Sequence, residues 1–136
     1  MTEVQRSKQF DVSPEEMWRR IGDFQGVAGW HPGIAGCTPQ EAGEVRELAL
    51  PDGHKVVERR VAQTDRSYTY RILDPGPLPV SDYEATIAAH DGEGGGSVVD
   101  WRARFVPAGA SEADAVEVIK GIFDSGLEAL ARRPEA

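Results

Sequence analysis

From Val4 to Val12 apolar and polar residues mix without proline or glycine, and the segment reads as a strand. Ser13 then offers a hydroxyl cap, and Pro14 stands at a first helical position where its missing N–H costs nothing. Glu15 and Glu16 put negative charge in the first turn, close to a capping box. Met17, Trp18 and Ile21 give this helix one apolar side, and Gly22 ends it. Between Asp23 and Gly36 four glycines and a proline exclude any long element and leave room for one helical turn near Gln25 to Ala28. Six strands are expected next: Ala35 to Gln40, Glu44 to Leu50, Lys55 to Ala62, Ser67 to Leu73, Val80 to His90 and Ser97 to Val106. The turn sequences EAGE, LPDGH, TDRS, PGPLP and DGEGGG separate them.

After Ser111, a capping residue, the pattern changes to helical spacing. Ala115, Val118, Ile119, Ile122, Phe123, Leu127 and Leu130 share a face, Glu112 and Asp114 enrich the first turn, and Arg132 and Arg133 suit the C-terminus. Gly121 and Gly126 weaken this helix by up to about 1 kcal/mol each relative to alanine. Burying four or five of the apolar side chains, at ~1.5–3 kcal/mol apiece, offsets that loss. Gly126, in line with Ile122 and Phe123, also admits a close neighbour. Strands joined by short turns must be antiparallel, since parallel pairs need long crossovers. A curled sheet wrapped around the last helix buries the concave face of the one and the apolar face of the other.

One turn sets a register. In LPDGH, Pro51 suits the first central position of a type I turn and Gly53 a left-handed residue closing a bulge. That loop pairs Leu50 with His54, Leu48 with Val56 and Arg46 with Glu58, the last an opposite-charge pair facing directly across two strands. A two-residue Asp52-Gly53 loop would send Arg46 and Glu58 to opposite faces.

Composition narrows the class. The 136 residues fit one domain, residues 1–136, and 40% hydrophobic with 28% charged residues is ordinary for a folded chain. The formal net charge of −8 argues against nucleic acid and anionic membranes as partners. Cys37 is alone, so no internal disulfide forms. The N-terminus lacks the apolar core of a signal peptide, and no run reaches the roughly 20 apolar residues of a membrane span. A cytoplasmic location is the expectation.

Several stretches resemble the SRPBCC superfamily, which has the START-like helix-grip fold, and within it the small bacterial polyketide cyclase/dehydrase-like branch. They are SPEEMWRRIGDFQGVAGWHP, VRELALPDGHKVVERR, SYTYRI, PLPVSDYEATI, VVDWRARF and the closing helix. The resemblance spans almost the whole chain. It implies an α+β fold: a seven-stranded antiparallel curved sheet around a long C-terminal helix, with one or two short helices between the first two strands. It also implies an internal apolar cavity, reached near the Pro75 to Pro79 loop and the Gly22 to Pro32 region. The resemblance is weaker on activity, because one scaffold hosts enzymes and carriers alike.

In that family the positions of Arg46 and Glu58 commonly face the cavity. They are candidates for anchoring a carbonyl or hydroxyl, with Glu58 as general base; the bland alternative is a structural ion pair. Trp30, Tyr68, Tyr70, Tyr83 and Trp101, with Ile119 and Phe123 of the last helix, are the candidate ligand contacts. Each Tyr or Trp joins an apolar body to a polar tip. His31 is a candidate proton carrier. His31, Cys37, His54 and His90 lack metal-ligand spacing, so neither metal nor cofactor is expected. DGEGGGS precedes a strand, so it is no helix-terminus phosphate loop. The expected function is binding of a hydrophobic small molecule. One form of it is a cyclase, dehydratase or isomerase acting on a polyketide or aromatic-type ligand; the other is a non-catalytic carrier or sensor. A monomer or homodimer would serve either.

Overall fold

The computed structural model describes residues 1–132; Arg133 lies outside the described residues. Strand β1 (Thr2–Phe10) leads into helix α1 (Pro14–Ile21), and a 3₁₀-helix (Phe24–Gly29) follows. Next come β2 (Gly36–Gln40), β3 (Val45–Ala49), β4 (Lys55–Gln63), β5 (Ser67–Asp74), β6 (Val80–Asp91) and β7 (Ser97–Pro107), then helix α2 (Glu112–Arg132). The strands form one antiparallel sheet in the order β1-β7-β6-β5-β4-β3-β2. Strand, short helices, six strands and a long final helix make this the helix-grip fold.

Local chemistry sets the boundaries. The Ser13 hydroxyl accepts the Glu16 N–H, Pro14 opens α1, and Gly22 caps its end with an N–H to the Trp18 carbonyl. The first strand starts and stops two residues earlier than its apolar pattern predicts. Its partner β7 begins at Ser97, which faces Phe10, so residues beyond Phe10 have no ladder to join. Pro39 is tolerated because β2 is an edge strand with a ladder on one side alone. The LPDGH turn adopts the three-residue form: the Leu50 N–H reaches the His54 carbonyl at 2.8 Å and Gly53 has a φ of 91°. Arg46 is thereby placed opposite Glu58 and Leu48 opposite Val56.

Helix α2 is fastened along one flank. Arg6 of β1 bonds Asp124 at 2.7 Å, and the Thr2 hydroxyl donates to Glu112 at 2.6 Å. The ring of Phe123 stacks on Trp101 of β7 with centroids 4.3 Å apart. Gly126 permits the approach: a Cβ there would sit 2.8 Å from the His31 ring and 3.0 Å from both Trp30 and Trp101. The opposite flank of α2, carrying Val118, Ile119 and Ile122, is held off the sheet, and a hollow remains beneath it. No described helix is long and apolar enough to cross a membrane.

Candidate functional site

The hollow has a volume of about 380 Å³. Leu48, Val56, Ile72, Leu78, Ile119 and Ile122 form most of its apolar wall, and Glu58, Tyr70, Tyr83 and His31 bring polar groups to it. Pro51 and Asp52 of the β3–β4 hairpin also border it, as do Gly33 and Ile34. Leu78 belongs to the Pro75–Pro79 loop, which is seated close on β4: Gly76 has a φ of 54°, and a side chain there would collide with the Lys55 carbonyl.

Behind this wall lies a buried ion pair. Arg46 is 2% exposed and Glu58 6%. The Arg46 Nε donates to Glu58 Oε1 at 2.8 Å, and Nη2 lies 2.7 Å from the same oxygen. Nη1 turns the other way, to the Phe24 carbonyl at 2.6 Å and the Tyr68 hydroxyl at 3.3 Å. The guanidinium rests over the Phe24 ring, 4.1 Å from its centroid, so its planar face finds an aromatic partner as well. Burial opposes the Arg46 charge, yet Tyr68, Glu58 and Tyr70 outweigh it and hold the guanidinium above its ordinary pKa. Burial pushes the Glu58 carboxyl up, against the pull of Arg46. A carboxyl raised in this way is a better proton acceptor near neutral pH than an exposed one.

Beside the ion pair lie two buried phenols, Tyr70 and Tyr83. The Trp101 indole N–H, which can only donate, reaches the Tyr70 oxygen at 3.2 Å. The rings of Tyr70 and Tyr83 are neighbours, with centroids 6.2 Å apart. Tyr70 and Tyr83 both line the hollow, and each can donate its hydroxyl proton there. Burial raises both phenols, and the Glu58 carboxylate adds to that rise, so both stay protonated donors across the neutral range.

His31 also lines the hollow, but its two ring nitrogens are committed to the backbone. Nε2 lies 2.8 Å from the Ile122 carbonyl, and Nδ1 accepts the Gly33 N–H at 2.9 Å. That is the neutral Nε2–H tautomer. Burial lowers the His31 pKa, and the Arg46 charge lowers it further against the pull of the Ile122 carbonyl. His31 here ties the loop to α2 and offers neither nitrogen for proton transfer.

Of the residues singled out in the sequence, Glu58, Tyr70, Tyr83, His31 and Ile119 meet at the hollow. Arg46, Trp30, Tyr68, Trp101 and Phe123 are not among its lining side chains. Arg46 and Tyr68 back the polar corner, while Trp30, Trp101 and Phe123 pack where α2 closes on the sheet. The Trp30 indole N–H is buried there, with no hydrogen-bond partner among the described residues. Sequence reasoning passed over Leu48 and Val56 as site residues. Period two carried the signal, because each stands two positions from Arg46 or Glu58 on the same inward face. Among the described residues no cluster of three His, Cys, Asp or Glu comes together that would hold a metal ion.

A sheet gripping a helix over a hollow with one polar corner defines a class, and sequence comparison agrees with it. The profile of the polyketide cyclase / dehydrase and lipid transport family matches residues 1–135, and the chain belongs to that family. Among solved structures, the protein XoxI from Bacillus cereus is 36% identical, with a TM-score of 0.94 over 97% of this chain and 94% of that one. An uncharacterized protein from Bacillus thuringiensis is also 36% identical, with a TM-score of 0.92 over 96% of each chain. The Zhui aromatase/cyclase from a Streptomyces strain is 17% identical, with a TM-score of 0.74 over 96% of this chain and 88% of that one, a likeness of fold. No functionally curated protein matches the chain.

Proposed function

We propose that the chain binds a hydrophobic small molecule in the hollow under α2 and acts on it as a cyclase or dehydratase of polyketide or aromatic-type ligands, without a metal. One observation carries this reading: a buried carboxyl, Glu58, and a phenol, Tyr83, border the same apolar space. Glu58 would take a proton from carbon next to a carbonyl, and Tyr83, with Tyr70 beside it, would donate to the oxygen where negative charge develops. Arg46 is a positioning residue that fixes the Glu58 rotamer through Oε1. The aliphatic walls would hold a flexible chain folded, so that much of the rate gain is proximity.

Incubating the chain with poly-β-ketone thioesters and following products by mass spectrometry tests this. Glu58→Gln should lower turnover by roughly 10²–10⁴-fold, the usual worth of a positioned acid or base, while the substrate still binds. Walls that are nearly all aliphatic also favour a second reading, a carrier or sensor without turnover. Saturable binding with no product in the unaltered chain, and no effect of Glu58→Gln, would establish that reading in place of the first.

A further inference from the structure

Among the described residues no lysine or arginine lines the hollow, and the acidic side chains that do are Glu58 and Asp52. Asp52 sits on the exposed hairpin tip, 2.9 Å from His54. His31 is neutral, with both nitrogens bonded to the backbone. Glu58 is matched from behind by Arg46, whose Nε and Nη2 converge on Oε1 while Nη1 faces Phe24 and Tyr68. Both Arg46 contacts fall on Oε1, and Oε2 is left to the side of the hollow that Glu58 lines. The polar corner is therefore balanced in charge, and it presents an acceptor, Glu58 Oε2, beside a donor, the Tyr83 hydroxyl.

Resting on the reading that this hollow holds a small apolar molecule, we propose that it selects an uncharged ligand bearing a hydroxyl. That hydroxyl donates to Glu58 Oε2, and carboxylates and amines of the same skeleton are rejected. A carboxylate leaving water would meet no unpaired cation and would set its charge against Glu58. An ammonium would compete with Arg46 for a carboxylate already matched, leaving two cations on one anion. Either ion loses its hydration without an unmatched counter-charge to replace it. A hydroxyl carries a much smaller desolvation cost and supplies a donor to Oε2, which Arg46 does not contact, while its own oxygen can accept from Tyr83.

Nile red, an uncharged dye that brightens in apolar surroundings, is bound to the full chain near neutral pH. It is then displaced with naphthylmethanol, naphthoate or naphthylmethylamine, one skeleton in three charge states. The alcohol should displace the dye at concentrations at least about tenfold below either charged analogue, since a buried unmatched charge is far costlier than a hydroxyl. A charged analogue that competes as well as the alcohol overturns the selectivity alone. Failure of the dye and all three naphthalenes to bind overturns the small-molecule reading beneath it. In Glu58→Gln, checked for folding by circular dichroism, Arg46 loses its counter-charge and naphthoate should rise past the alcohol. An unchanged ranking in the folded variant removes Glu58 from the explanation. Tyr83→Phe supplies the second variant: it should weaken the alcohol several-fold and leave naphthoate where it was.

Discussion

Arg46 combines the largest stake in stability with a supporting place at the site. Its guanidinium bonds Glu58, the Phe24 carbonyl and the Tyr68 hydroxyl in a space that is nearly dry. Arg46→Met removes one charge and leaves the Glu58 carboxylate buried without its partner. Breaking such a pair costs about 3–5 kcal/mol, whereas replacing both members by apolar groups of similar size is often near neutral. Urea titration should therefore show Arg46→Met losing that amount, with the Arg46→Met, Glu58→Leu double variant recovering most of it. The pair could be read from sequence because one turn, Pro51 to Gly53, fixes the register of both strands. His31 could not, because its partner carbonyl on Ile122 is 91 positions away and nothing local announces it. His31 also sets a pH dependence. Its folded pKa is lowered by burial from an unfolded value near 6.5, so below that value the unfolded chain binds the proton more readily than the folded one. The contribution of His31 to stability is complete above the unfolded value and is lost as pH falls through it toward the folded value. His31→Asn, whose amide oxygen can accept the Gly33 N–H, should be less stable throughout. Between about pH 7.5 and 5.5 it should lose less further stability than the unaltered chain; urea midpoints across that range measure the difference.

At the scale of elements, α2 poses two glycine questions with opposite answers. Gly121 is exposed, and a Cβ there meets nothing within 4 Å. Gly121→Ala should stabilise the chain by about 0.5–1 kcal/mol, the propensity gain of alanine in a helix interior. Gly126 would gain the same propensity, but its Cβ would stand 2.8 Å from His31 and 3.0 Å from Trp30 and Trp101. Rings packed on one another give way poorly, so Gly126→Ala should lose roughly 1–3 kcal/mol, as overpacked cores do. Thermal melts of the two variants in parallel decide the matter, and equal shifts of one sign would contradict the packing described. The sequence supported a close neighbour at Gly126, since the glycine falls on the apolar face of an otherwise good helix. Which residues approach it was not legible. Trp30 comes from a loop with no periodicity, and Trp101 shares the inward face of its strand with Val99, Ala103 and Phe105. Period two assigns a face but not a position along the groove. The same limit applies to the bulge between Ser81 and Glu84, where Asp82 takes a φ of 50°, a left-handed conformation that aspartate adopts more readily than most residues. An irregularity of that kind is decided by the partner strands on either side.

At the scale of the whole molecule, the hollow follows from uneven anchoring. Helix α2 is drawn to the β1 and β7 side by Arg6–Asp124 and by the Trp101–Phe123 stack. The strands that curl round toward β3 leave a gap that its other flank does not fill. Side chains facing such a gap forgo contacts they would have in a solid core, so the gap is a cost in stability retained for access. Ile119 faces the hollow from α2 and is otherwise buried, which makes it the place to fill the space from within. In a solid interior Ile119→Phe would strain the core by about 1–3 kcal/mol. Here the ring has room, and the variant should match the unaltered chain in urea or exceed it by up to about 1 kcal/mol, while its affinity for Nile red falls at least about tenfold. Both readouts are needed together. A destabilised variant with unchanged dye binding would place the bound dye elsewhere on the molecule and make the gap under α2 an ordinary packing defect.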